Sequence, residues 1–159
     1  ERSIPYVVAS RYCCRLNYCV SWQTNFAVGF PNVAGGYEIR SRFFKGCVPP
    51  KDVSLVKAEG SPADVCSVFE GFMDFLSAAT FGLEKGECLV LNSVANVEKA
   101  MSIWTAAVQD CYLDHDAAGR RTLKTLKGHY GERVYDRSAL YDGCKDLNEY
   151  LQLTTKKEQ

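Results

Sequence analysis

The chain has 159 residues, of which 47% are hydrophobic, so it is long enough to form one domain with a substantial core. Basic and acidic residues balance at nineteen each, but residues 1–60 carry eight basic and four acidic side chains, whereas residues 61–159 carry eleven and fifteen. Neither excess is large enough to predict a nucleic-acid partner. No apolar run reaches the roughly 20 residues of a membrane span, so no direct membrane span is expected.

Alternating apolar and polar side chains predict that the first fifty residues are rich in β-structure. Apolar residues occupy nearly every second position over residues 18–30, which is the pattern of a strand with one buried face. Segment 31–36 contains Pro-Asn and Gly-Gly pairs and predicts a turn, after which residues 37–43 alternate again. Cys47 and the two prolines that follow end the predicted sheet, because proline cannot donate a ladder hydrogen bond.

The second region, residues 59–159, is predicted to be a helical extension that carries half of the cysteines. Gly82 is expected to end its first helix, and Trp104 is expected to be a core residue at the centre of an unbroken apolar stripe. Apolar residues that recur at steps of three and four predict helices over residues 61–80, 94–112, 123–130 and 140–151. The two regions together predict an α+β protein, with a small antiparallel β head and a disulfide-stapled helical tail.

Eight cysteines in 159 residues exceed the usage of ordinary cytosolic proteins. No Cys-x-x-Cys pair occurs, so a zinc site is not expected, and we predict oxidised cysteines in a secreted protein. The start at Glu1, without a signal peptide, fits a mature secreted form. Adjacent cysteines cannot sensibly bond to each other, because a disulfide needs Cα atoms about 4.4–6.8 Å apart. The predicted disulfide cysteines, whose connectivity stays open, are Cys13, Cys14, Cys19, Cys47, Cys66, Cys88, Cys111 and Cys144.

Candidate catalytic groups are few, since the chain has only two histidines. Four neighbouring polar residues could form an acidic cation site: Asp110, Asp114, His115 and Asp116. Their spacing does not match the Asp-x-Asp-x-Asp-Gly calcium loop, and a solvated helix end explains them better. No catalytic residue, metal site or cofactor is therefore predicted, and the protein is expected not to be an enzyme.

Two segments are candidates for binding a protein partner. The leader before the cysteine doublet is apolar and needs a surface to cover it, unless it pairs as an edge strand within the fold. A basic cluster in residues 120–127 could contact an acidic partner, although a solvated helix face explains it better. The predicted partner-binding residues are Ile4, Pro5, Tyr6, Val7, Val8, Arg120, Arg121 and Lys124.

The order of a free leader, a cysteine doublet, a β-region, a further cysteine and a helix resembles a CC chemokine. The most specific stretch is residues 37–56, where a strand, a basic turn and a second strand reach Cys47 and a proline-bearing link follows. The resemblance covers about residues 1–58. It implies a disulfide between Cys14 and Cys47 and leaves the partner of Cys13 open.

A chemokine-like head with a long cysteine-bearing tail looks like the CC-chemokine-like subunit of the cytomegalovirus pentameric entry complex. The short tail motifs Tyr135-Asp-Arg and Leu147-Asn-Glu-Tyr-Leu are similar to the closing helix of that family. The resemblance implies a secreted, virion-surface subunit that binds glycoprotein H, glycoprotein L, accessory subunits and a host receptor. The alternatives are a stand-alone secreted cytokine-like protein or parasite effector that binds a host protein and, more remotely, a secreted hydrolase.

Overall fold

A computed structural model describes residues 2–57, 64–103 and 108–157, in which nine strands form two sheets. The strands are β1 Cys14–Val20, β2 Gln23–Pro31, β3 Tyr37–Arg40, β4 Lys45–Val48, β5 Ser54–Lys57, β6 Val65–Phe69, β7 Glu87–Val90, β8 Val108–Tyr112 and β9 Val134–Asp136. The α-helices are α1 Tyr6–Tyr12, α2 Phe72–Phe81, α3 Val97–Ile103, α4 Ala117–Tyr130 and α5 Leu147–Lys157. The α+β composition with an N-terminal antiparallel sheet is confirmed.

The antiparallel sheet has the strand order β1-β2-β3-β4. The prediction of one strand over residues 18–30 is wrong, because the chain reverses at Ser21 and Trp22 and β1 pairs with β2. Both turn residues have positive φ, 49° and 67°, which is the backbone of a tight hairpin turn that usually requires glycine, asparagine or aspartate. The turn contains neither glycine nor proline, and apolar and polar residues continue to alternate across it, so the sequence does not indicate where the chain reverses.

The second sheet is mixed, with the strand order β5-β7-β6-β8-β9. Strand β6 is parallel to β7 and β8, β9 is parallel to β8, and β5 is antiparallel to β7. The tail is therefore a sheet covered by helices and not the helical tail that was predicted. The predicted helix 61–80 contains β6 before α2, and the predicted helix 94–112 ends in β8. Both strands are buried along almost their whole length, including the polar Gln109 and Asp110 of β8, so buried and exposed residues do not alternate. Without a period of two, their apolar residues can match the spacing of a helix.

Helices cover both faces of the mixed sheet. On one face, α3 and α4 pack through a cluster of buried residues that includes Leu126. On the other face, α2, α5 and the antiparallel sheet meet around Phe75. The Phe75 ring lies 4.8 Å from Tyr12, 5.6 Å from Phe30 and 5.7 Å from Phe69, measured between ring centroids. This one side chain thus connects α1, the antiparallel sheet and the mixed sheet.

The cysteines are free thiols, so the predicted disulfide framework is not present. Cys14 lies on β1 and Cys47 on β4, at opposite edges of the antiparallel sheet. Three strand spacings of about 4.8 Å separate them by roughly 14 Å, about twice the reach of a disulfide. The predicted Cys14–Cys47 bond is therefore wrong. Cys66 and Cys111 pack on one face of the mixed sheet and Cys88 on the other, where they serve as small apolar core residues.

Several predictions lie outside the described residues. Trp104 and the start of the helix predicted over 61–80 are among them. The division of the chain after residue 58 falls in segment 58–63 and stays a prediction. Within the described residues, the expected end of a helix at Gly82 is confirmed, since Gly82 caps α2 with a φ of 66°. None of the helices in the described ranges has the length and apolar character needed to cross a membrane.

Candidate active site

The carboxyl ends of three neighbouring parallel strands carry polar side chains that line one cavity. Glu70 directly follows β6, Asn92 lies two residues beyond β7, and Asp114 lies two residues beyond β8. Because these strands are parallel, their carboxyl ends meet at the same edge of the sheet. Ligands of open α/β sheets bind at this edge. The cavity there has a volume of about 300 Å³ and is lined by all three residues.

Two further carboxylates reach the cavity from helices. Asp74 lies in the first turn of α2, and Asp146 directly precedes α5. Carboxylate oxygens of Asp74, Asp114 and Asp146 lie within 4.8 Å of one another, and Asp74 is buried. Carboxylates this close repel one another unless they are protonated or share a cation. An all-oxygen set of this kind suits hard divalent cations such as Mg²⁺ or Mn²⁺.

The electrostatics of the cluster fit such a cation. Burial, and then the charges of Asp114 and Asp116, raise the pKa of Glu70 to about 7. Burial, and then the charges of Asp146 and Asp114, raise the pKa of Asp74 to about 8. Burial and Asp146 also raise the pKa of Asp114. The Oε2 atom of Glu70 is buried and has no hydrogen-bond partner among the described residues. The carboxylates therefore provide the negative charge that a divalent cation requires, and Oε2 of Glu70 is an oxygen that could bind it.

The segment from Asp114 to Asp116 is fixed against the start of α4. Oδ1 of Asp116 accepts hydrogen bonds from the N–H groups of Ala118 at 2.8 Å and Gly119 at 2.9 Å, and these bonds lower the pKa of Asp116. A Cβ atom on Gly119 would lie 2.1 Å from the carbonyl oxygen of Asp114. Only glycine permits this close approach, so the cap and the glycine together position Asp114.

The N-terminal segment lies at the cavity. Nη1 of Arg2 donates to Oδ1 of Asn148 at 3.0 Å, and Nδ2 of Asn148 donates to the carbonyl oxygen of Arg2 at 3.1 Å and to Oγ of Ser77 at 2.9 Å. The backbone N–H of Asn148 donates to Oδ1 of Asp74 at 3.2 Å. The buried Asn148 thus connects α2, α5 and Arg2 beside the carboxylate cluster.

The antiparallel sheet contributes cations to the lining of the same cavity. Arg40 comes from β3 and Lys45 from β4, and Lys145 enters from the segment before α5. Nζ of Lys145 lies 3.7 Å from the carboxylate of Asp114. Burial, and then the charge of Arg2, lower the pKa of Arg40. The cavity therefore combines carboxylates that can hold a metal ion with guanidinium and ammonium groups that can hold phosphate.

The predicted partner-binding residues lie elsewhere. In the leader, Ile4 and Val8 pack against the core, Pro5 precedes α1, and the side chains of Tyr6 and Val7 are 86% and 59% exposed. The leader is therefore neither a free arm nor an edge strand. The predicted basic residues are exposed on α4: Arg120, Arg121 and Lys124. Partner binding by these residues stays a prediction.

The acidic group noted in the sequence is divided by the fold. Asp110 forms an ion pair with Arg137 at 2.7 Å within the mixed sheet, and His115 does not line the cavity. The interpretation as a solvated helix end holds for Asp116, which caps α4, and is wrong for Asp114, which lines the cavity.

Sequence reasoning missed Glu70, Asp74 and Asp146. A usable signal was present: an acidic residue follows the buried run of β6 at once, and another follows β8 after one leucine. A short, mostly apolar segment that ends in a carboxylate, as β6 does, is consistent with a buried parallel strand whose carboxyl end lies at a site. The signal of β8 is weaker, because β8 contains Gln109 and Asp110. The helical interpretation of both runs concealed this pattern.

A Toprim-like family matches residues 67–151, and a domain of unknown function, DUF8464, matches residues 1–49. Because the Toprim-like match covers more than half of the 159 residues, the chain belongs to the Toprim-like family. No curated protein matches the sequence.

Solved structures share the fold. The primase fragment of the bacteriophage T7 primase-helicase protein is 16% identical, with a TM-score of 0.63 over 91% of this chain and 64% of that chain. The complex of bacteriophage T7 lagging-strand DNA polymerase with gp4 primase domains, bound to an RNA/DNA hybrid and dTTP, gives 13% identity and a TM-score of 0.64 over 99% of this chain and 85% of that chain. A DnaG primase catalytic domain bound to ssDNA gives 15% identity and 0.54 over 98% of this chain and 67% of that chain. The chain thus spans about two thirds of the T7 primase fragment.

These findings overturn the predicted identity. The chain is not a CC-chemokine-like subunit of a cytomegalovirus entry complex, since its family is Toprim-like and its fold is that of primase domains. The expectations of a non-enzymatic protein, of glycoprotein partners and of no nucleic-acid partner are wrong for the same reason. The predicted secretion and virion-surface location are wrong too, because they rested on oxidised cysteines and on the chemokine resemblance.

Proposed function

We propose that the chain is the catalytic part of a primase-type enzyme, which joins nucleoside triphosphates into a short RNA on a single-stranded DNA template. The observation that carries the proposal is the convergence of Glu70 and Asp114 at the carboxyl ends of neighbouring parallel strands, beside the carboxylates of Asp74 and Asp146. The primase structures that share the fold support the same class of reaction.

The four carboxylates would hold the divalent cation. When bound, it supplies positive charge to phosphate oxygens in the transition state. In the reaction, a ribose 3′-hydroxyl oxygen bonds to the α-phosphorus of the next triphosphate, the bond from that phosphorus to the leaving pyrophosphate breaks, and the hydroxyl proton passes to water. The chain's own cations, Arg40, Lys45 and Arg2, bind and orient the triphosphate at the lining of the cavity.

Primer synthesis on a single-stranded DNA template tests this proposal. The purified chain is incubated with ribonucleoside triphosphates, one of them labelled on the α-phosphate, with Mg²⁺ or Mn²⁺, and the products are separated by length. We expect labelled oligoribonucleotides with the wild type and a loss of at least about 100-fold with Glu70→Gln or Asp114→Asn. The matched control is Glu132→Gln, an exposed carboxylate outside the cavity, which should retain full activity. Absence of product from the wild type, or full activity of Asp114→Asn, contradicts the proposal.

A further inference from the structure

A second concavity lies on the antiparallel sheet and shares lining residues with the carboxylate cavity. It has a volume of about 590 Å³ and is lined by residues of β2, of β3 and of the segment that follows β3. Arg2, Arg40 and Met73 line both spaces. The two spaces are therefore neighbours, close enough for one nucleic-acid strand to contact both. We call this second space the aromatic groove.

Two phenylalanines of the groove are exposed to solvent. Phe26 on β2 is 60% exposed, and Phe43 in the segment after β3 is 84% exposed. Each carries a guanidinium over its ring: Arg15 lies 4.7 Å from the centroid of Phe26, and Arg42 lies 5.8 Å from the centroid of Phe43. A single exposed apolar side chain is ordinary on a protein surface. Two open rings in one groove, each beside an arginine, form a surface for stacking planar groups.

The charge of the groove is of one sign. Among the described residues, Arg2, Arg40 and Arg42 line it, and its lining contains no aspartate or glutamate. Its occupant therefore carries negative charge and presents flat, weakly polar faces at intervals. Single-stranded nucleic acid has both properties, since its phosphates repeat along the chain and its bases are free to stack. Duplex DNA keeps its base faces within the helix and does not fit the rings in the same way.

We propose that the aromatic groove binds single-stranded nucleic acid, with bases stacked on Phe26 and Phe43 and phosphates held by Arg40 and Arg42. This assignment rests on the proposed function, because the strand it binds is the one that enters the carboxylate cavity. Stacking on aromatic rings tolerates any base, so the groove holds the strand without reading its sequence. A strand bound here is directed past Met73 toward the cavity, since that residue borders both spaces.

Fluorescence anisotropy with a labelled oligothymidylate of about twelve nucleotides, in EDTA, measures this binding without divalent cations. We expect Phe26→Ala and Phe43→Ala each to weaken binding by about five- to a hundredfold. Phe26→Tyr should bind close to wild type, because the ring is kept. The matched control is Tyr6→Ala, which removes an aromatic side chain that is 86% exposed on α1 and outside the groove, and should bind like the wild type.

The result that overturns the inference is wild-type affinity in both Phe26→Ala and Phe43→Ala. An equal loss in Tyr6→Ala overturns it as well, since the effect is then not local to the groove. Light scattering on the same samples tests occupation by a second copy of the chain: a dimer in the wild type that Phe43→Ala dissociates also contradicts the inference. Loss of oligothymidylate binding in the groove variants, in a protein that makes no primers, supports the groove and rejects the proposed function.

Discussion

The two sheets differ in the chemistry that they bring to the cavity. The mixed sheet and its helices supply the carboxylates, and the antiparallel sheet supplies Arg40, Lys45 and the exposed rings of the aromatic groove. The sequence carries the same division, because residues 1–60 have a basic excess of four and residues 61–159 an acidic excess of four. A net charge of zero therefore hides two surfaces of opposite sign. The size of the charge excess in each half was therefore a poor guide to a nucleic-acid partner, because the charges that line the cavity are few.

The largest effect on stability is expected where the two sheets meet. Phe75→Ala removes a fully buried ring that contacts Tyr12, Phe30 and Phe69, and should lower the free energy of unfolding by about 3–5 kcal/mol. Urea denaturation measures the change. The control is Phe43→Ala, which removes the same side chain from a solvent-exposed position and should stay within about 0.5 kcal/mol of wild type. Equal midpoints for the two variants would show that the sheets are not joined through Phe75.

The carboxylates of the mixed sheet make stability depend on pH. The pKa of Asp74 is raised to about 8 in the folded state, from about 3.9 in the unfolded chain, so between these values the folded state binds more protons. Without divalent cations, stability should therefore fall as the pH rises from about 4 to about 8, with a contribution of at most about 1.4 kcal/mol per pH unit from this group.

Asp74→Asn removes this contribution and should give a flatter profile in urea melts between pH 5 and 8. The control is Glu132→Gln, whose exposed side chain should leave the slope unchanged. A slope that is the same in the wild type and in Asp74→Asn would mean that Asp74 is charged without cost in the folded state.

Substituting two glycines of α4 distinguishes a clash beside Asp114 from the general effect of alanine on helix stability. Gly119→Ala places a Cβ 2.1 Å from the carbonyl oxygen of Asp114 and should destabilise the protein by about 1–3 kcal/mol while reducing primer synthesis. Gly128→Ala, in the same helix, meets no atom within 4 Å and should stabilise by about 0.5–1 kcal/mol. Thermal melts and primer synthesis measure both. Similar behaviour of the two variants would contradict the close approach of α4 to Asp114.

The smallest expected effect is that of reducing agent. All eight cysteines are free thiols, so a thiol titration in guanidinium without reductant should find eight reactive groups, and dithiothreitol should not change the melting temperature. Fewer than eight thiols in freshly purified protein, together with a melting temperature that falls on reduction, would restore the disulfide prediction.

The sequence correctly predicted those elements in which the spacing of apolar residues fits either a strand or a helix, but not both. The alternation in the first fifty residues predicted an antiparallel sheet, which forms. The apolar residues of 123–130 predicted part of α4, and the helix predicted over 140–151 is confirmed only from Leu147, where α5 begins. Each of these elements has one buried face and one exposed face, so its apolar residues recur at the regular spacing of a helix or a strand. The chain reversal at Ser21 and Trp22 left no signal, because neither residue is of the type that favours positive φ.

The candidate site could not be predicted, because the central strands of the mixed sheet were predicted to be helices. Strands β6 and β8 are covered on both faces, so their residues lack a period of two, and their apolar positions match the spacing of a helix. Because both segments were predicted to be helices, Glu70 was not identified as a site residue, and Asp114 was assigned to a solvated helix end. The parallel pairing of β6 with β7 and β8 brings these carboxylates to one edge of the sheet. The local hydrophobic pattern of a segment does not predict which distant strand it pairs with.

Titration calorimetry with Mn²⁺ tests most directly whether the carboxylate cluster is a divalent-cation site. We expect the wild type to bind Mn²⁺ more tightly at pH 8 than at pH 6 and to release protons on binding, because the pKa of Glu70 is raised to about 7 and that of Asp74 to about 8. Asp114→Asn should weaken binding by at least about tenfold, and Glu132→Gln should not change it. Equal Mn²⁺ affinity in the wild type and in Asp114→Asn, with no dependence on pH, would contradict the assignment.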